Sequence, residues 1–231
     1  MYKAIIFDLD NTLINYNLCE LESMRHTCKE HNLFVDDITQ WEIFRKSYEE
    51  HNFRHWMDFV NGGDIKTIHE VLNFSFRDSL SGAEQIHNQL SETYWRYFCN
   101  SCYFEDGAEQ LLTNIKDKYP LGIITNGISE AQRKRLIAGN IHNSFQSLVI
   151  SDEVGIRKPQ VEIFEIALNE LQVRPNEVLF VGDSLQDDYQ GSMNAEIDFC
   201  YYNPQNIEVP AQIQPKYMIQ HLLELIDENV I

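Results

Sequence analysis

Near the start of the chain the run Ala4-Ile5-Ile6-Phe7 passes directly into Asp8-Leu9-Asp10-Asn11-Thr12, so that an unbroken apolar segment ends in two carboxylates one residue apart. Four apolar residues in succession, without alternation, suit a strand buried on both faces, as in a parallel sheet covered by helices. The C-terminal ends of such strands are where ligands bind. Two aspartates at i and i+2 repel each other unless a positive charge stands close to both, and a divalent cation meets that need. The segment therefore predicts an α/β fold whose first strand delivers an acidic site.

The rest of the chain divides in a way that fits. From about residue 15 to 98 the apolar spacing is helical and rich in aromatics. Leu18, Leu21, Arg25 and Cys28 trace one helix face, Trp41, Phe44, Tyr48 and His51 a second, and Ile86, Leu90, Tyr94 and Phe98 another. Beyond Tyr103 short apolar runs return at 121–124, 147–150, 177–181 and 199–202, separated by helical stretches, which implies βαβ units and a parallel sheet. The expected architecture is a discontinuous core, residues 1–14 and 100–231, interrupted by an all-helical insertion, residues 15–99. Ser129 with Gln132 has the spacing of a capping box, Pro159 suits the first turn of a helix, and Ile219, Leu222, Leu223 and Ile226 predict a C-terminal amphipathic helix.

Composition removes several classes of function. The 231 residues hold 36 acidic against 18 basic side chains, a net charge of −18, which is the wrong sign for a duplex nucleic-acid binder. Five scattered cysteines fit a reducing compartment, and Cys99-Asn-Ser-Cys102 has no second pair with which to complete a metal site. No signal peptide and no apolar run of spanning length is present, so a cytoplasmic location with no membrane partner is expected. His51 and His55 share a helix turn but lack a third ligand in the sequence, and Arg133-Lys134-Arg135 reads as a solvated helix face.

The polar residues at the strand ends form an ordered set: Asp8 and Asp10, then Thr125-Asn126-Gly127, then Lys158, then Gly182-Asp183-Ser184 followed by Asp187 and Asp188. Each motif alone is weak. In this order the chain resembles the haloacid dehalogenase (HAD) superfamily, whose four motifs they match. The resemblance implies a Rossmann-like core with a helical cap, and a Mg²⁺-dependent phosphatase working through an aspartyl phosphate. Asp8 is then the nucleophile, Asp10 the general acid and base, and Thr125 and Lys158 complete the catalytic set. Thr125, Asn126, Gly127 and Lys158 hold phosphate, while Asp8, the backbone carbonyl of Asp10, Asp183 and Asp188 hold the metal, with Asp187 as the alternative to Asp188. Asp10 also separates phosphatases from the dehalogenases, which lack it because a departing halide needs no proton.

The stretches Thr125 to Ser129, Gln132 to Leu136, Ser151 to Pro159 and Asn52-x-x-x-Trp56 are similar to the pyrimidine 5′-nucleotidase subfamily. That likeness implies a small phosphate monoester as partner, a nucleoside 5′-monophosphate first, with Trp56 or Phe53 against the base. The other readings are a sugar-phosphate phosphatase, a β-phosphoglucomutase-like enzyme and, last, a 2-haloacid dehalogenase. The insertion is expected to lie over Asp8 and hinge near residues 15–17 and 100–101, in a monomer or weak homodimer.

Overall fold

A computed structural model describes residues 2–80 and 86–231; positions 81–85 of the expected insertion lie outside the described residues. The first strand, β1 (Ala4–Phe7), is buried at every position. Each of Ile5, Ile6 and Phe7 is fully enclosed, a contribution of about 1.5–3 kcal/mol per side chain. The chain then turns at Asn11, whose φ of 59° lies in the left-handed region that asparagine tolerates, and whose carboxamide oxygen accepts from the backbone N–H of Tyr16.

Four helices follow: α1 (Tyr16–Glu30), α2 (Ile38–Val60), α3 (Ile68–Ser79) and α4 (His87–Cys99). The segment Cys19–Ser101 forms its own compact unit, while the chain up to Leu18 and from Cys102 onward forms the other. The sequence pattern alone puts the borders of this insertion at residues 15 and 99. Inside the helical unit, α2 buries Trp41, Phe44 and Tyr48, as the spacing predicts. The rings of Phe44 and Tyr48 meet Phe76 of α3 at 6.3 and 4.8 Å, and Phe76 meets Tyr94 of α4 at 6.1 Å. On α1 the buried face is Cys19, Ser23, Met24, Thr27 and Cys28, not the predicted Leu18, Leu21 and Arg25. The helix is turned by about one residue because its small side chains allow a close approach and Ser23 and Thr27 satisfy their hydroxyls on the carbonyls of Cys19 and Ser23.

The remaining elements alternate. They are α5 (Ala108–Ile115), β2 (Leu121–Thr125), α6 (Ser129–Ala138), β3 (Ser147–Ile150), α7 (Ser151–Val154), α8 (Val161–Leu171), β4 (Val178–Gly182), a five-residue π turn (Leu185–Tyr189), α9 (Gln190–Asn194), β5 (Asp198–Tyr202), β6 (Tyr217–Ile219) and α10 (Glu224–Asp227). The six strands make one parallel sheet in the order β3-β2-β1-β4-β5-β6. The chain adds β2 and β3 on one side of β1 and then β4, β5 and β6 on the other, so the C-terminal ends of β1 and β4 flank the point where strand order reverses, where open α/β sheets bind ligands. One side of the sheet is filled by Phe164 of α8, Phe180 of β4 and Phe199 of β5 with their aliphatic neighbours.

Three local expectations are corrected. Residues 217–219 extend the sheet as β6 beside β5, and only the single turn α10 follows, because Ile219, Leu222 and Leu225 are buried from an extended and turning backbone. Pro159 lies before the N-cap Gln160 of α8 rather than in its first turn. Ser129 begins α6 without capping it; the N-cap is Ile128, and the Ser129 N–H donates to Asp152 at 3.0 Å. Cys99 and Cys102 form no disulfide with each other or with another cysteine. Among the described residues, no helix is long and apolar enough to cross a membrane.

Candidate active site

Asp8 continues β1, its N–H donating to the carbonyl of Val181 at 2.9 Å, and the residue is 6 % exposed. Lys158 Nζ donates to Asp8 Oδ1 at 2.5 Å, to Asp188 Oδ1 at 2.7 Å and to the carbonyl of Ile124 at 3.0 Å. The Thr12 hydroxyl donates to Asp8 Oδ2 at 3.2 Å. Asp183, half-buried at the end of β4, joins Asp8 and Asp188 so that one carboxylate oxygen from each lies within 4.8 Å of the others.

Three carboxylates and one ammonium leave a net negative charge out of water. Burial, with Asp188 and Asp183 adding to it against the pull of Lys158, holds the Asp8 carboxyl above the ordinary range. Burial and then Asp188 push Asp183 up to about 7. For Lys158, burial alone would lower the value, but Asp188 and Asp8 outweigh it and keep the ammonium charged. An all-oxygen donor set with uncompensated negative charge fits a hard divalent cation such as Mg²⁺.

Asp10 takes a different environment. Its Oδ1 accepts from Arg135 Nη1 at 2.5 Å and its Oδ2 from Gln132 Nε2 at 2.7 Å. Its side chain is therefore outside the carboxylate cluster, and of the four predicted metal residues only Asp8, Asp183 and Asp188 bring their carboxylates together. Asp187, the alternative, instead accepts from Asn126 Nδ2 at 3.3 Å.

Gln132 and Arg135 are the residues that sequence reasoning missed. Arg133 and Lys134 are exposed and paired with Glu153 and Glu130, but Arg135 is fully buried and ion-paired with Asp10, so it is no part of a solvated face. Its guanidinium also lies 5.9 Å from the Tyr16 ring. The signal was the i, i+3 pair Gln132 and Arg135 on the face of α6 that also carries the buried Ala131 and Leu136. Gln132, expected in a capping box, spans Asp10 and the Thr125 hydroxyl, to which it donates at 2.8 Å.

Two glycines are required by these contacts. A Cβ on Gly127 would stand 2.2 Å from the Gln132 amide, and one on Gly182 would stand 2.4 Å from the Asp188 carboxylate. Thr125 is 1 % exposed at the end of β2. The Asn126 side chain clasps the backbone of Lys158, accepting from its N–H at 2.8 Å and donating to its carbonyl at 3.1 Å. Asn126 therefore fixes the lysine loop. Trp56, in the helical unit, is half-buried with its ring 5.6 Å from Phe59, and Phe53 is 66 % exposed. Asn52 donates to Tyr48 and Ser75, a contact between α2 and α3.

Comparisons with known proteins bear on the family. A family model described as haloacid dehalogenase-like hydrolase matches residues 5–202. The pyrimidine 5′-nucleotidase YjjG of Escherichia coli is 32% identical, over 96% of this chain and 95% of its own length. The pyrimidine 5′-nucleotidase PynA of Streptococcus pneumoniae is 31% identical, over 100% of this chain and 97% of its own. The crystal structure of the HAD-hydrolase YfnB of Bacillus subtilis, bound to magnesium, superposes with a TM-score of 0.81 at 29% identity, covering 100% of this chain and 99% of that one.

Proposed function

The chain belongs to the haloacid dehalogenase-like hydrolase family, and within it we propose a Mg²⁺-dependent phosphatase that cleaves nucleoside 5′-monophosphates through a phosphorylated Asp8. The observation that carries this reading is the pair of aspartates with divided roles. Asp8 is enclosed with Lys158 and two further carboxylates, whereas Asp10, two residues on, is held apart by Arg135 and Gln132.

Asp8 supplies the attacking oxygen. One of its oxygens is held by Lys158 and the other by Thr12, which fixes the carboxylate for displacement at phosphorus with loss of the ester oxygen. Lys158 and the Thr125 hydroxyl offset the charge on the transferring group. Asp10 gives a proton to the departing alkoxide and later takes one from the water that attacks the phosphoaspartate, freeing inorganic phosphate and restoring Asp8. Asp8, Asp183 and Asp188, with the backbone carbonyl of Asp10, would hold Mg²⁺, which when bound offsets the carboxylate charge and polarises a phosphoryl oxygen. The similarity to YjjG and PynA supports a nucleotide over a sugar phosphate. The aromatic faces the helical unit offers to a base are Trp56 and Phe53.

Phosphate release from a panel of nucleoside monophosphates and sugar phosphates, with magnesium and with chelator, tests the proposal. Pyrimidine nucleoside monophosphates should be cleaved fastest, and chelator should stop all release. Cleavage of sugar phosphates alone would overturn the nucleotide reading. Full activity in chelator would overturn the metal.

A further inference from the structure

The helical unit carries a second group of ligand-type side chains that the proposed hydrolysis does not use. His51 and His55 stand one turn apart on α2, their rings 6.5 Å apart and inclined by 20°. Asp78 on α3 completes the set, and one nitrogen from each histidine and one carboxylate oxygen lie within 4.8 Å of one another. The sequence could not show this third ligand, because Asp78 meets His55 across a helix pair, with His55 Nε2 2.8 Å from Asp78 Oδ2.

A cation already bridges two members of the group, His51 and Asp78. Arg54 Nη2 lies 2.6 Å from His51 Nδ1 and 3.6 Å from Asp78 Oδ2. A guanidinium only donates, so His51 Nδ1 presents its lone pair to that point. The Arg54 side chain is 63% exposed and has room to swing away. The other oxygen of Asp78 is fixed by Arg77 Nε at 2.8 Å, and Arg77 is itself seated over the Phe74 ring at 4.6 Å. Such an outer partner orients a ligand carboxylate.

We propose that His51, His55 and Asp78 form a binding site for one divalent transition-metal ion of the zinc class, and that Arg54 is the resident cation this ion displaces. Two imidazole nitrogens and one carboxylate oxygen suit Zn²⁺ and do not suit Mg²⁺, which sets this group apart from the all-oxygen cluster at Asp8. A tetrahedral zinc with bonds of about 2.0–2.1 Å needs its ligand atoms roughly 3.4 Å apart, so His55 Nε2 and Asp78 Oδ2, now 2.8 Å apart, separate to admit the ion while the His51 ring turns toward it. His55 binds through Nε2, its proton passing to Nδ1. The ion then ties α2 to α3.

The test is zinc titration of the full chain without a histidine tag, carrying Asp8→Asn and Asp183→Asn so that the oxygen site does not compete. One equivalent should bind and raise the unfolding temperature, and Co²⁺ should give the visible absorption of a tetrahedral nitrogen and oxygen site. His55→Gln and Asp78→Asn should each weaken binding by about 10–100-fold. Arg54→Ala should tighten it several-fold, since the competitor is gone. Equal zinc affinity in the His51→Gln/His55→Gln double variant overturns the proposal. If the histidine variants fail to fold, Arg54→Ala at an exposed position decides alone, and unchanged or weaker binding there overturns it.

Discussion

The two units of the molecule differ in what each encloses beside its aliphatic side chains. The sheet unit buries charge: Asp8, Lys158 and Asp188 are almost or wholly enclosed, and Arg135 is fully so. The helical unit buries rings, with Phe44, Tyr48, Phe76 and Tyr94 packed in tilted and edge-on contacts. A buried charge is tolerated only with its partner, and removing one member leaves the other stranded. A ring or aliphatic side chain can be replaced by another of similar volume at little cost. The difference teaches where chemistry resides, because the sheet unit accepts an electrostatic penalty that packing alone would never select.

The largest effect that could break this contrast is at Asp8. Asp8→Asn should reduce phosphate release by about a thousandfold or more while circular dichroism stays native. A variant retaining more than a few per cent of activity would remove Asp8 from its role. Next comes Asp10→Asn, which should cost about 10²–10⁴-fold on alkyl esters, the range of general acid and base catalysis, and far less on p-nitrophenyl phosphate. Arg135→Met, which releases one oxygen of Asp10, should show the same bias toward poor leaving groups at smaller size. Equal losses on both substrates would mean that Asp10 does not handle the proton.

Stability sharpens the contrast further. Lys158→Met strands Asp8 and Asp188 and should cost about 3–5 kcal/mol in chemical denaturation, whereas Leu90→Met in the fully buried face of α4 should cost less than about 1.5 kcal/mol. Similar values for the two would erase the distinction between the units. Trp56→Ala should raise KM for nucleoside monophosphates by the loss of stacking worth roughly 1–3 kcal/mol, with little change for p-nitrophenyl phosphate. Equal changes would make Trp56 a packing residue only.

The smallest effect concerns pH. An aspartate ionises near 3.9 in an unfolded chain, as a rough reference, while Asp183 in the metal-free fold is pushed up to about 7. Between those values the folded state holds a proton that the unfolded state has lost. The contribution is therefore fully present below pH of about 4 and is lost as pH rises through about 7. In chelator the unfolding temperature should fall from pH 5 to 8, and Asp183→Asn should remove part of that fall. Identical slopes in both proteins would contradict the assigned environment.

Much of the sheet unit was legible in the chain. Its strands are short apolar runs with polar residues at their ends, and burial on both faces leaves no ambiguity of period. The end of the chain was not: Ile219, Leu222 and Leu225 are buried in a strand and a turn, and their spacing imitates a helix. The face of α1 was misplaced because small residues, which carry little hydrophobic signal, fill the interface. At the site, Asp8, Lys158 and Asp183 could be read from their places at the strand ends, whereas the sequence offered Asp187 and Asp188 as alternatives and only Asp188 joins the carboxylate group. Gln132 and Arg135 were harder to find, since only the helix face they share with Ala131 and Leu136 sets the buried arginine apart from exposed Arg133 and Lys134, and its partner Asp10 is distant in sequence.

The central claim is that Asp8 carries the phosphoryl group during turnover. Acid quenching during steady-state hydrolysis of a nucleoside monophosphate, borohydride reduction and mass spectrometry of the peptide containing residues 3–14 would test it. The account predicts conversion of Asp8 to homoserine, dependent on substrate, with Asp10 unchanged. Steady phosphate release with an unmodified Asp8 peptide, or with reduction at Asp10 instead, would contradict it.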